Sequence, residues 1–336
     1  MTIRRILVPL DGSPLGEAVL SHAASIARAF DAEILLVRVM GERRAGRQPV
    51  ESAEWRLRRS EAVAYLEGLA ARLVARGVTA RAELGQGGTV RGILEAAREH
   101  AADLIAFSRQ GRNGPNEFGL GGTATKIVSH GGLSFLLVEP GSVSLGGDLL
   151  LAETDGEVGT PDAPARRVLV AVDGSHRGEW ALNLAARVAR AARAELVIAH
   201  VVPVPAITSR TPLAPEDSQL LERIVDVGRS GAEEYLAEAS DQLATPDLPV
   251  RTVLEVSPQI AQTIFRIAER EKPALVVLSA HGTSDPGPWR YGTVASALVA
   301  NSPFSLLVFQ DVPRLPLPAN EPARDLTAQT DNGWSR

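Results

Sequence analysis

The 336-residue sequence contains no cysteine, which excludes disulfides, thiolate nucleophiles and cysteine metal sites. Lysine is nearly as scarce. Only Lys126 and Lys272 occur, neither before Ser or Thr in a Gly-Lys context, so the lysine that a Walker-type loop sends to the β and γ phosphates is missing. The histidines, His22, His100, His130, His176, His200 and His281, form no HExxH or HxxxH pair, which removes the usual zinc signature. An excess of positive charge is absent as well: the net charge is -5, which argues against a broad nucleic-acid footprint. No apolar run approaches the roughly 18 residues of a membrane span. The first apolar run, Ile3 to Leu10, starts almost at the initiator methionine and leaves no room for a signal peptide. A cytosolic chain with neither membrane nor nucleic acid as partner is expected.

What the sequence does have is itself, twice. Arg4 to Val39 laid over Arg166 to Val201 matches at about half of the positions without a gap, the mark of a tandem duplication. Arg5-Ile6-Leu7-Val8-Pro9-Leu10-Asp11-Gly12-Ser13 answers to Arg167-Val168-Leu169-Val170-Ala171-Val172-Asp173-Gly174-Ser175. Gly16 and Gly178, Glu17 and Glu179, and Glu33 and Glu195 continue the series. The apolar fraction of 45% is that of an ordinary globular chain, and the length suits two domains.

Each copy alternates strand and helix. The first reads as strand Arg4 to Leu10, helix Pro14 to Phe30 capped by Ser13, strand Glu33 to Val39, helix Ala53 to Arg76, strand Val78 to Leu84, helix Thr89 to His100, strand Asp103 to Phe107, helix Thr123 to His130 and strand Ser134 to Val138. In the second, strands fall near Arg167 to Val172, Glu195 to Val201, Val250 to Glu255, Ala274 to Leu278 and Ser305 to Phe309. Such alternation implies parallel sheets with right-handed crossovers. The fold class expected is α/β: two tandem, doubly wound, five-stranded parallel-sheet domains, residues 1-140 and 166-310, with strand order 3-2-1-4-5. Residues 141-165, rich in Gly, Pro and acidic residues, read as a linker in which Leu149-Leu150-Leu151-Ala152 is apolar enough to dock. Residues 311-336 read as a disordered tail. The apolar fifth strands, Leu136-Leu137-Val138 and Leu306-Leu307-Val308, belong at sheet edges and need cover. Packing them together about a pseudo-two-fold axis makes the two domains an internal pseudo-dimer, and leaves room for a further homodimer.

Several motifs carry chemistry or imitate it. Gly85-Gln86-Gly87-Gly88-Thr89-Val90 and Gly119-Leu120-Gly121-Gly122-Thr123-Ala124 imitate a dinucleotide fingerprint. The first belongs to the third strand, with Val90 where Gly or Ala is required, and the second follows a loop, so both are decoys. The serines after Asp11 and Asp173 read as helix caps. The aspartates themselves are harder to dismiss, because a carboxylate at the carboxyl end of a buried strand is costly without a partner or ligand. From Ala274 to Val299 an apolar strand, a glycine-punctuated loop and a helix opening at Gly292-Thr293 follow one another, the parts of a phosphate cradle. Order 3-2-1-4-5 reverses between strands one and four, so Asp173 and the loop after Leu278-Ser279 share one crevice at the strand ends.

These residues resemble the universal stress proteins in their tandem two-domain form, over Ile3 to Val138 and Arg166 to Phe309. The resemblance rests on ILVPLDGS and VLVAVDGS, on second strands ending in Val39 and Val201, and on the late glycine loop. It implies a Rossmann-like fold of the adenine nucleotide alpha hydrolase type. ATP-binding members carry G-x2-G-x9-G-[ST], whose backbone and hydroxyl groups hold the phosphates. In the second copy Gly282, Gly292 and Thr293 match, with Ser279 in place of the first glycine. In the first, Ser108 replaces that glycine, Gly111 matches, and one extra residue precedes Gly122-Thr123; the alternative pair Gly121-Gly122 keeps the spacing and loses the hydroxyl. The resemblance further implies Asp11 and Asp173 near a ribose, and the backbone of Val39 and Val201 near an adenine. It makes ATP, with Mg2+ optional, the expected cofactor, held better by the second domain. A left-handed backbone at Ser279 would weaken binding without abolishing it. The expected role is regulatory, toward protein partners the sequence does not name. Two rivals stand beside it: a nucleotide-free interaction module, and a slow ATP hydrolase, for which His281 in the loop is the nearest candidate base but reads as solvated.

Overall fold

The computed structural model describes residues 2-41, 53-112, 120-146, 166-205, 215-282 and 291-310. The first half runs β1 (Arg5–Pro9), α1 (Pro14–Glu17), α2 (Val19–Phe30), β2 (Glu33–Met40), α3 (Ala53–Val74), β3 (Ala80–Gln86), α4 (Thr89–Glu99), β4 (Leu104–Ser108), α5 (Gly122–Gly131) and β5 (Ser134–Val138). The second runs β6 (Arg167–Val172), α6 (His176–Ala192), β7 (Glu195–Pro203), α7 (Pro215–Leu243), β8 (Val250–Ser257), α8 (Ile260–Glu271), β9 (Leu275–Ser279), α9 (Thr293–Asn301) and β10 (Leu306–Phe309). The helix expected from Pro14 to Phe30 is interrupted at Ala18, whose backbone stays right-handed.

Each half has the expected order, 3-2-1-4-5, with parallel pairing throughout. The difference lies in how many sheets there are. Instead of two five-stranded sheets the chain builds one of ten strands, β3-β2-β1-β4-β5-β10-β9-β6-β7-β8. The join is antiparallel, Leu306 opposite Leu137, Leu307 opposite Leu136 and Val308 opposite Phe135. Both edge ladders are thereby satisfied, and the apolar side chains that made them conspicuous in sequence become core. Just beyond the ladder the Gln310 amide donates to Ser134 Oγ (3.0 Å) and the Glu139 amide to Ser305 Oγ (3.2 Å). These equivalent contacts express a local two-fold axis.

Alternation along the strands divides the core between the two faces of the sheet. Ile6, Val8, Leu136 and Leu307 pack with Ala23 and Ile26 of α2, Leu66 of α3, Val188 of α6 and Leu236 of α7. Leu7, Leu137 and Val308 pack on the other face with Ile93 of α4, Ile127 of α5, Ile264 of α8 and Leu298 of α9. Both cores run unbroken from one half into the other. The outermost strands, β3 and β8, carry Arg81 and Glu83, and Arg251 and Glu255, charges that discourage further edge pairing.

The first residues of the expected linker pack against the fold. Leu145 is fully buried, and Ser142 Oγ meets Ser305 Oγ at 2.9 Å. Leu149 to Ala152 and the tail from residue 311 lie outside the described residues. No helix among the described residues is long and apolar enough to cross a membrane.

Candidate functional site

Two crevices open at the carboxyl ends of β1 and β4, and of β6 and β9, one in each half. Every crevice is built around its aspartate. In the first, Asp11 Oδ1 accepts from the Ser13 amide (2.9 Å) and hydroxyl (2.6 Å), and Ser13 Oγ in turn accepts from the Gly16 amide and caps α1. Asp11 Oδ2 accepts from the Arg112 amide at 2.7 Å. Burial alone would raise the Asp11 carboxyl; the Ser13 hydroxyl, the two amides and the Arg112 charge outweigh it and hold the group below its usual value. In the second, Asp173 Oδ1 accepts from the Ser175 amide (3.1 Å) and hydroxyl (2.6 Å), and Ser175 caps α6. The cost of placing a carboxylate at a buried strand end is thus offset inside the protein.

This arrangement explains two glycines. A Cβ on Gly111 would stand 2.6 Å from Asp11 Oδ2, and one on Gly282 would collide with Asp173 Oδ2. The aspartate and the loop glycine expected to share a crevice do so, and they touch.

The far wall of each crevice is a helix N-terminus. Gly121 caps α5 and Gly292 caps α9, both extended and without a side-chain hydrogen bond to the helix. The Gly121 amide donates to Arg109 O (2.8 Å) and the Gly292 amide to Ala280 O (2.7 Å), so the two positions are equivalent. The structure therefore selects the alignment Gly121-Gly122 over Gly122-Thr123. Spacing in the two loops is identical, and the residue after the cap is Gly122 in one half and Thr293 in the other. Thr293 is exposed and opens α9. The expected extra residue in the first loop does not displace its helix.

The serines in place of the first motif glycine carry no strain. Ser108 and Ser279 are the last residues of β4 and β9, paired with Val138 and Phe309, and neither has a positive φ. Ser279 Oγ donates to His281 O at 2.7 Å. His281, expected in solvent, is 5% exposed. Val39 and Val201 continue β2 and β7 past their pairing with β1 and β6, beside the two aspartates. Val39 also accounts for part of the first decoy fingerprint, since a Cβ on Gly85 would lie 3.3 Å from its Cγ2. Gly87 takes a turn at φ 105° and Gly88 caps α4, so that fingerprint is a strand-to-helix corner.

Residues that sequence reasoning passed over also reach the crevices. Arg38 and His200 occupy equivalent positions, set by the register of β1 with β2 and of β6 with β7. The Arg38 guanidinium lies 5.7 Å from the Tyr65 ring centre, and the Tyr65 hydroxyl donates to Glu17 at 2.8 Å. Burial first, and then Glu17, push that phenol well above its usual value. Burial lowers His200, against the opposing pull of Asp173, so the second half holds a neutral ring where the first holds a cation. The signal was present as a divergent column immediately before Val39 and Val201. Arg177 Nη1 donates to Gly282 O at 3.3 Å and ties α6 to the second loop.

Known proteins fit this description. The profile of the Universal stress protein family matches residues 2–139 and 164–310. A universal stress protein of Methanocaldococcus jannaschii is 27% identical over 140 residues, 40% of this chain and 82% of its own length. Among solved structures, one from Pseudomonas aeruginosa of unknown function superposes with a TM-score of 0.61 at 16% identity, covering 91% of this chain and 92% of that one. A universal stress protein from Archaeoglobus fulgidus gives a TM-score of 0.55 at 18% identity over 92% of this chain and 97% of its own. At such identities the likeness speaks for the fold.

Proposed function

Because the chain belongs to the universal stress protein family in both of its halves, we propose that it is a regulatory binding protein for an adenine nucleotide, ATP first among them. The carrying observation is the convergence, in each crevice, of a glycine loop closed onto an aspartate with a helix N-terminus that, among the described residues, has a glycine and no side-chain cap. Free N–H groups and the helix dipole favour phosphate at that point. The second half adds the exposed Thr293 hydroxyl where the first has Gly122, and this favours its cradle. Val201 and Asp173 border it on the side where base and ribose belong by family resemblance.

One observation favours a second reading, a nucleotide-free interaction module. Gly282 and Gly111 are required by the neighbouring carboxylates whether or not a ligand binds, so their presence does not by itself speak for phosphate. A Gly282→Val variant would disturb the fold and the ligand together, and Thr293→Val is the cleaner probe.

The test is calorimetric titration of the full chain with ATP, with and without Mg2+, beside thermal melts. A hundredfold excess over the dissociation constant stabilises the protein by about 2.7 kcal/mol. Thr293→Val, on the surface of α9, is expected to weaken binding about tenfold with the ligand-free melting temperature unchanged. Neither heat nor thermal shift at millimolar ATP would leave the interaction module as the reading.

A further inference from the structure

The two halves differ most in charge, on the side of each crevice where the second strand ends against the long helix. In the first half, Arg38 is half-buried and meets no carboxylate among the described residues. Its guanidinium stacks toward Tyr65 and closes on the turn at Gly12, where φ is 79° and a Cβ would stand 3.0 Å from Nη1. A half-buried cation without a counter-charge is costly unless an anion visits it. Beside it, Arg112 is anchored by its own side chain, Nη2 donating to Asp11 O at 3.1 Å. Arg58 reaches in from α3, paired at 2.5 Å with Glu54 on the exposed side of that helix. These three arginines, with Met40, Glu61 and Ala62, line a cavity of about 550 Å³. Among the described residues its wall sets three guanidinium groups against Glu61, with Glu54 paired to Arg58 outside it, in a polar recess suited to bidentate contacts with phosphate oxygens.

In the second half the positions equivalent to Arg38, Met40, Arg58, Glu61 and Ala62 are His200, Val202, Gly228, Gly231 and Ala232, a register fixed by Tyr235 on Glu179 as Tyr65 is on Glu17. None of these five positions holds a guanidinium, and the His200 ring, kept neutral by burial, stands where Arg38 does in the first half. The guanidinium groups of Arg38 and Arg58 thus have no counterpart at the equivalent positions of the second half.

We propose that the first half carries a polyphosphate-selective site formed by Arg38, Arg58 and Arg112, distinct from the nucleotide cradle of the second half. The ligand class is a small molecule bearing two or more linked phosphates, either free polyphosphate or the phosphate chain of a nucleotide. The inference goes beyond the proposed function, because it needs neither an adenine nor Thr293.

The test titrates the full chain with inorganic tripolyphosphate at about 0.15 M salt, where exposed charges are already screened. The unaltered protein is expected to bind, Arg38→Gln to lose about tenfold or more in affinity, and Arg38→Lys to lose less. Arg58→Gln, exposed and structurally mild, is expected to lose about threefold and keeps the test valid if Arg38→Gln fails to fold. Thr293→Val should bind tripolyphosphate as the unaltered chain does. Absence of binding, equal affinity in all the arginine variants, or sensitivity to Thr293→Val each overturns the proposal. ATP and adenosine arms separate the sources. ATP binding that is sensitive to Thr293→Val without any tripolyphosphate binding refutes this site and leaves the nucleotide reading standing. Arginine-dependent tripolyphosphate binding, with ATP no tighter and adenosine silent, does the reverse.

Discussion

His22 is a buried residue whose protonation opposes the fold. It sits on α2, 2% exposed, and its Nε2 carries the proton donated to Ala274 O at 3.1 Å, across the join between the halves. Burial lowers its pKa to about 4, the hydrogen bond to Ala274 opposing the shift. The unfolded chain therefore takes up the proton first as pH falls. Stability is complete above about pH 6.5 and declines between there and about pH 4, by up to about 3 kcal/mol from this group. The equivalent residue in the second half is Leu184, so the site tolerates an apolar side chain of that size. In urea unfolding at pH 7.5 and at pH 4.5, His22→Leu is expected to lose less stability between the two than the unaltered protein. Equal losses would place the acid sensitivity elsewhere.

At the scale of elements, the join between β5 and β10 is locked by an ion pair that only one half possesses. Arg109 follows β4, and its side chain is 5% exposed. Its Nε lies 2.9 Å from Glu139, and Nη1 donates to Val299 O (3.3 Å) near the carboxyl end of α9, in the other half. Burial lowers the guanidinium and raises the carboxyl, each partly restored by the other. The matching positions in the second half are Ala280 and Gln310, both neutral. Arg109→Ala is expected to cost about 3 kcal/mol by leaving Glu139 unpaired, and adding Glu139→Gln to recover much of it by reproducing the second half's pair. A double variant no more stable than Arg109→Ala would mean that the contact with Val299, not the ion pair, matters. Strands, caps and edges were legible in sequence because each is a local pattern: an apolar run, a Ser before a helix, a short apolar strand at the end of a repeat. Arg109 was not, since nothing in one dimension says that its guanidinium reaches residue 299. Gly282 was legible as a glycine that something requires, but its neighbour Asp173, 109 residues away in the chain, is visible only in the fold. The strain that a left-handed backbone would bring to Ser279 does not arise, for a related reason. Whether the position after a strand turns left-handed is set by how far the pairing runs, and here Ser279 is still strand.

On the scale of the whole molecule, both core clusters span the join, which makes the two halves a single cooperative body. Scanning calorimetry is expected to show one transition whose calorimetric and van't Hoff enthalpies agree. Two resolved transitions would mean that the halves melt separately despite the shared sheet.

The antiparallel join has a consequence for how the halves came to differ. Two separate chains meeting along such an edge dissociate on dilution, whereas tethered halves find each other at an effective concentration set by the connecting segment alone. The assembly then no longer depends on expression level. In a two-fold dimer every substitution is also imposed on the opposite subunit, at the seam and at both ligand crevices. Fusion ends that copying. It allows an arginine at position 38 to coexist with a histidine at 200, and a charged lock at 109 and 139 with the neutral pair at 280 and 310.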